Sequence, residues 1–113
     1  MSKDKKHTAP KQAIGVDIGG TGIKAALVDV RSGELLSDRI KLPTPAGGEP
    51  EAIAEVVVEL VGRLDAERRT PVGVTFPAIV RHGRTLSAAN VSKRWIDFEA
   101  EAFFEQHLGR PIH

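Results

Sequence analysis

The chain has 113 residues, the usual size of one domain, and its 41% hydrophobic and 27% charged residues are ordinary globular composition. The 16 Lys and Arg against 15 Asp and Glu leave +1, which argues against a general nucleic-acid or membrane-binding surface. The lack of cysteine excludes a disulfide framework, a thiolate metal site and a thiol nucleophile, and fits a reducing, cytoplasmic compartment.

Residues 1–12 hold Lys, His, Thr and Pro without apolar periodicity and read as a disordered tail, with none of the apolar core of a signal peptide. No apolar run further on has the length of a membrane span. Ala13 to Ile18 is an apolar run of strand length that contains Asp17 and leads into Gly19, Gly20 and Gly22, a tight turn. Ile23 to Val30 and Leu35 to Leu42 are read as two more strands around the turn signal Arg31-Ser32-Gly33-Glu34, and Pro43, Pro45, Gly47 and Gly48 make a loop. From Pro50 the spacing of Ile53, Val57, Leu60, Val61 and Leu64 predicts a packing helix, with Glu51 and Glu55 early and Arg63 late to suit its dipole. Pro71 to Phe76 reads as a buried strand and Ile79 to Ala88 as a hairpin centred on Gly83. Asp97 is placed to cap a second helix that has Ala100, Phe103, Phe104, His107 and Leu108 on one side and stops at Gly109 and Pro111. With three residues of a new strand after it, the domain of residues 13–113 reads as incomplete at its C-terminus.

The stretch that carries chemistry is Asp17-Ile18-Gly19-Gly20-Thr21-Gly22-Ile23-Lys24. Glycines allow successive backbone N–H groups to converge on an anion, Thr21 adds a hydroxyl and Lys24 a charge. Asp17 would repel phosphate unless a cation stood between them, so it makes sense as the anchor of Mg²⁺. On the glycines alone a simple hairpin would be the better reading; Asp17, Thr21 and Lys24 together reverse that. The P-loop pattern fails, because Lys24 follows Ile23 and precedes Ala25. Gly20-Thr21-Gly22-Ile23-Lys24-Ala25 does satisfy the dinucleotide fingerprint, with Asp38 at a suitable distance, so half of an NAD(P) oxidoreductase stays open at this point. A strand after the turn favours the phosphate hairpin, and a helix favours the dinucleotide site.

Asp17-Ile18-Gly19-Gly20-Thr21 with Lys24 resembles the first phosphate motif of the ROK sugar kinases (repressors, open reading frames, kinases) of the actin and hexokinase superfamily. Gly73-Val74-Thr75-Phe76-Pro77-Ala78 and Ser87-Ala88-Ala89-Asn90-Val91-Ser92-Lys93-Arg94-Trp95-Ile96 resemble most the polyphosphate glucokinases within that family. The resemblance implies a ribonuclease H-like α/β lobe of β-β-β-α-β order and transfer of phosphate from polyphosphate or ATP, with Mg²⁺, to glucose. It places Asp17, Gly19, Gly20, Thr21 and Lys24 at the donor phosphates and the metal, and Pro77, Ala78 and Asn90 at the sugar. It also implies a homodimeric complete protein. Ala78 stands where the family usually has Gly, so its Cβ is expected to narrow the sugar pocket.

The family's catalytic aspartate belongs to an Asn-Asp pair expected after His113, so this chain alone is expected to be inactive. The sugar-sensing part of a ROK regulator is a further alternative, disfavoured because a dozen tail residues cannot hold a DNA-binding helix pair. His7, His82, His107 and His113 lack metal-ligand spacing, and Trp95 reads as a packing residue. For Lys93 and Arg94 the sequence leaves open both a guide for a polyanion and a solvated edge.

Overall fold

A computed structural model describes residues 11–67, 69–76, 80–81, 84–85, 92–96, 98–110 and 112. Strand β1, Gln12–Ile18, turns back through the glycine cluster into β2, Gly22–Asp29, and the two pair antiparallel with Asp17 opposite Lys24. Gly33, at φ 78°, closes the next turn, where the Asp29 carboxylate accepts the N–H groups of Arg31 and Ser32 at 2.8 and 3.0 Å. The third strand is shorter than the expected span from Leu35 to Leu42: β3 is Ile40–Pro43, and before it Leu35 makes only an isolated bridge to Val28. In this stretch Ser37 turns its hydroxyl into the sheet to accept the Leu27 N–H at 2.9 Å and so replaces a strand partner.

Helix α1, Pro50–Leu64, begins where the sequence places it, with proline in its first turn. Strand β4, Val72–Thr75, returns parallel to β1, with Thr75 in register with Asp17. The sheet order is β3-β2-β1-β4, and Ile112 bridges in parallel to Val72 on the outer side of β4. A small hairpin of β5, Val80–Arg81, and β6, Arg84–Thr85, follows within the expected hairpin region. A single 3₁₀ turn, Lys93–Trp95, leads to α2, Ala100–Leu108, which stops at Gly109 in the left-handed conformation, φ 68°. The N-cap of α2 is Glu99, without a side-chain capping bond; Asp97, the expected cap, lies outside the described residues.

Alternation along the strands divides the sheet into two different faces. Ile14, Val16 and Ile18 of β1, Ile23 and Ala25 of β2 and Val72 of β4 pack against Ile53, Ala54, Val57, Leu60 and Val61 of α1, all at 5% exposure or less. Trp95, fully buried, centres the aromatic part of the same core: its ring lies 4.4 Å from Phe76, 5.1 Å from Phe98 and 5.8 Å from Phe104, and its Nε1–H donates to the Gly48 carbonyl at 2.8 Å. Trp95 is therefore a packing residue, as its sequence context implies.

Because residues Gly22 to Asp29 form a strand antiparallel to β1 and not a helix, the dinucleotide alternative is overturned. A dinucleotide fingerprint needs a helix whose N-terminus opens at the second glycine, and no such N-terminus exists here.

Candidate active site

The other sheet face carries the polar row. Across it, from β4 to β3, stand Thr75, Asp17, Lys24 and Lys41, each opposite the next in the ladder. The row behind it consists of Gly73, Gly15 and Ala26. These residues are too small to fill the space above the sheet, which leaves an open cleft of about 650 Å³ bounded also by Leu35 and Arg39. Asp17 stands at 2.9 Å from the Thr75 hydroxyl, which donates to Oδ1, and its carboxylate is exposed. Lys24 is half-buried beside it.

The glycine turn between β1 and β2 is tight. The Gly19 N–H donates to the Gly22 carbonyl at 2.9 Å, and Thr44 reaches over from beyond β3 to hold the other side. Its hydroxyl donates to the Gly19 carbonyl at 2.6 Å and its N–H to the Thr21 carbonyl at 3.2 Å. With those carbonyls engaged, the amides of Gly20 and Thr21 have no acceptor among the described residues. Amides without partners on a turn that follows directly after Asp17 are groups able to receive an anion.

Dihedral angle does not call for these glycines, since none of Gly19, Gly20 and Gly22 has a positive φ; at Gly19 and Gly22 the space beside them is occupied. A Cβ on Gly19 would stand 3.0 Å from the Gly22 carbonyl oxygen, and one on Gly22 would stand 2.5 Å from Cε of Lys41.

The structure thus brings together Asp17, Gly19, Gly20, Thr21 and Lys24 of the sequence motif at one end of the β1–β2 hairpin. Pro77, Ala78 and Asn90 lie outside the described residues. Thr75, Thr44, Arg39 and Lys41 belong to the same surface and are not among the site residues named from the sequence. Alternation along β4 was a signal for Thr75, which falls on the face of Asp17 once β4 is paired with β1. Nothing local marks Thr44, because its role depends on β3 lying beside β2.

Of the basic pair Lys93 and Arg94, the structure gives partners to Arg94. Its guanidinium donates to Glu49 at 2.9 Å and to both oxygens of Glu51 at 2.8 Å, tying the 3₁₀ turn to the first turn of α1. This bonding holds the Glu51 carboxyl below its usual range and raises Arg94 further above its own. An arginine committed to two carboxylates is a clamp and not a free guide for a polyanion.

Residues 13–113 match the ROK family. The chain belongs to the ROK family. The polyphosphate glucokinase of Mycobacterium tuberculosis is 42% identical over 102 residues, 90% of this chain and 38% of that protein. Among solved structures, the inorganic polyphosphate/ATP-glucomannokinase of Arthrobacter sp. strain KM superposes with a TM-score of 0.87 at 45% identity, covering 92% of this chain and 43% of its own. A ROK family glucokinase from Streptomyces griseus, solved in complex with glucose and AMPPNP, gives 0.69 at 28% identity over 89% of this chain and 31% of its own. The ROK chain therefore spans less than half the length of these relatives. Its mixed sheet has the ribonuclease H-like fold of the ROK sugar kinases, and neither the oxidoreductase nor the regulator reading is favoured. No described helix is long and apolar enough to cross a membrane.

Proposed function

We propose that this ROK chain supplies the phosphoryl-donor side of a cytoplasmic glucokinase that uses polyphosphate, ATP or both and acts as a homodimer when complete. The observation that carries the reading is the pairing of the exposed Asp17 carboxylate with the unpartnered amides of Gly20 and Thr21 at one hairpin end. In this proposal the amides of Gly20 and Thr21, the Thr21 hydroxyl and the Lys24 ammonium bind the donor phosphates. Pro77, Ala78 and Asn90 face the sugar.

Mg²⁺ fits this donor set. No cluster of three His, Cys, Asp or Glu able to hold a metal exists among the described residues, so Asp17 would hold the ion alone, with water and donor oxygens completing its shell. One carboxylate plus substrate phosphates is a usual arrangement for Mg²⁺. The bound ion would offset negative charge on the phosphates during transfer. Thr75, which donates to Oδ1, would fix the carboxylate and leave its second oxygen to the metal.

In the reaction a sugar hydroxyl oxygen forms a bond to the terminal phosphorus while the bond from that phosphorus to the bridging oxygen breaks. The hydroxyl proton goes to a carboxylate expected outside these 113 residues.

The test is an assay of glucose phosphorylation with polyphosphate and with ATP, on this chain and on a chain that also carries a second lobe. The longer chain is expected to be active, and Asp17→Ala to lower its kcat about a hundredfold or more. Turnover by the 113-residue chain, or a parental rate for Asp17→Ala, would overturn the proposal.

A further inference from the structure

Lys41 has no place in the glycine motif, yet the structure couples it to that motif. It stands opposite Lys24 in the β2–β3 ladder, so its side chain leaves the sheet on the face of Asp17. It does not rise straight from its own position. An ideal Cβ built on Gly22 would meet Lys41 Cε at 2.5 Å, Nζ at 3.5 Å and Cδ at 3.6 Å, so the stem leans across Gly22 and carries the ammonium to the residue that closes the turn. Any side chain at position 22 would occupy that path.

Gly22 thus keeps a route open for Lys41. Arg39, two residues earlier, lines the same cleft as Lys24. Neither Lys24, Lys41 nor Arg39 makes a salt bridge within the described residues. With its stem across Gly22, Lys41 brings its charge over β2 at the turn, one strand spacing, roughly 4.8 Å, from the line of Asp17 on β1, while Arg39 stands on the β3 side of the cleft. Like charges placed side by side on a sheet repel, and a polyanion lying across them removes the penalty.

We infer that Lys41 is a phosphate-binding residue of the donor site and that Lys24, Lys41 and Arg39 form a track for a linear polyphosphate. The inference rests on the donor-site reading above and extends it. Lys24 and Lys41 engage the phosphates at the glycine turn, and Arg39 engages phosphates further along the chain. Lys41 binds and positions the donor, and takes no proton in the transfer.

The experiment is a polarisation titration of end-labelled linear polyphosphate with the 113-residue chain, at several salt concentrations, using Lys41→Gln, Lys41→Arg, Gly22→Ala, Lys24→Gln and Arg63→Gln. Arg63 lies on α1, paired to Glu59, and serves as the charge-matched control. Lys41→Gln is expected to weaken binding about tenfold and to lower the slope of log Kd against log salt by roughly one. Lys41→Arg should stay within about threefold of the parent, and Arg63→Gln should match it. Gly22→Ala should weaken binding by displacing Lys41, and adding Lys41→Gln to it should cost little more. Parental affinity and salt slope in Lys41→Gln, with binding lost in Lys24→Gln, would sink the role of Lys41 and leave the donor-site reading standing. A parent chain that does not bind the labelled polyphosphate would sink both.

Discussion

Two glycines that read alike in the motif have different neighbours, and substitution should separate them. At Gly19 an added Cβ would meet backbone, the Gly22 carbonyl oxygen at 3.0 Å, so Gly19→Ala requires that oxygen to give by a few tenths of an ångström within a hydrogen-bonded turn. At Gly22 the obstacle is the flexible end of Lys41, which can swing away. Denaturant unfolding should show Gly19→Ala destabilised by about 1–2 kcal/mol and Gly22→Ala by less than about 0.5 kcal/mol; equal losses would contradict the steric assignment. Asp29 gives a pH effect. The N–H groups of Ser32 and then Arg31 hold its carboxyl below the usual range. A carboxyl whose folded pKa is depressed adds stability that is fully present above its unfolded pKa, about 3.9, and is lost as pH falls through the folded value. Asp29→Ala should therefore be less stable than the parent at neutral pH, with the gap closing below about pH 4. Unfolding curves between pH 3 and 7 check this, and a constant gap would argue against the ionised carboxylate as the acceptor.

At the scale of elements, α1 carries a local conflict that can be relieved. Its C-cap, Asp65, adopts φ 53° and ψ 38°, a left-handed conformation that glycine takes without penalty, and it places a carboxylate at the negative end of the helix. Asp65→Gly is expected to raise stability by about 0.5 kcal/mol, read as a shift in the unfolding midpoint without a change in slope. The contrast with α2, where Gly109 fills the same role, also shows what the sequence conveys. Helices α1 and α2 were legible because an apolar stripe and a stop signal are local. Strands β1, β2 and β4 were legible as apolar runs between turn residues. The extent of β3 was not, because Ser37 replaces a ladder partner in a way that only the folded sheet defines. The same limit applies to the site. Asp17, Gly19, Gly20, Thr21 and Lys24 are contiguous and could be named from spacing, whereas Thr44, Thr75 and Lys41 join them through pairing of distant strands. Arg94 read as a free cation because Glu49 and Glu51, its partners, are more than forty residues away.

For the whole molecule, the two sheet faces differ in how they are covered. One is sealed by α1, and the other leaves Gly15, Ala26, Val28 and Gly73 lining an open cleft beside exposed Leu35. Uncovered apolar surface and a strand with a largely free edge favour association. Among the described residues β4 pairs on its outer side only with Ile112, at Val72. Sedimentation velocity should show a weight-average mass that rises with concentration, and a monodisperse monomer across the range would show that this face is tolerated in water. Trp95 offers an optical consequence of its own. It is the sole tryptophan in a chain without tyrosine, and its ring is shut among Phe76, Phe98 and Phe104 with its N–H bonded to Gly48. Intrinsic fluorescence therefore comes from one emitter, blue-shifted while the aromatic cluster is closed and red-shifted once water enters. Circular dichroism of the backbone follows the sheet and helices instead, so superposition of the two melting curves would reveal whether cluster and sheet come apart in one step or two.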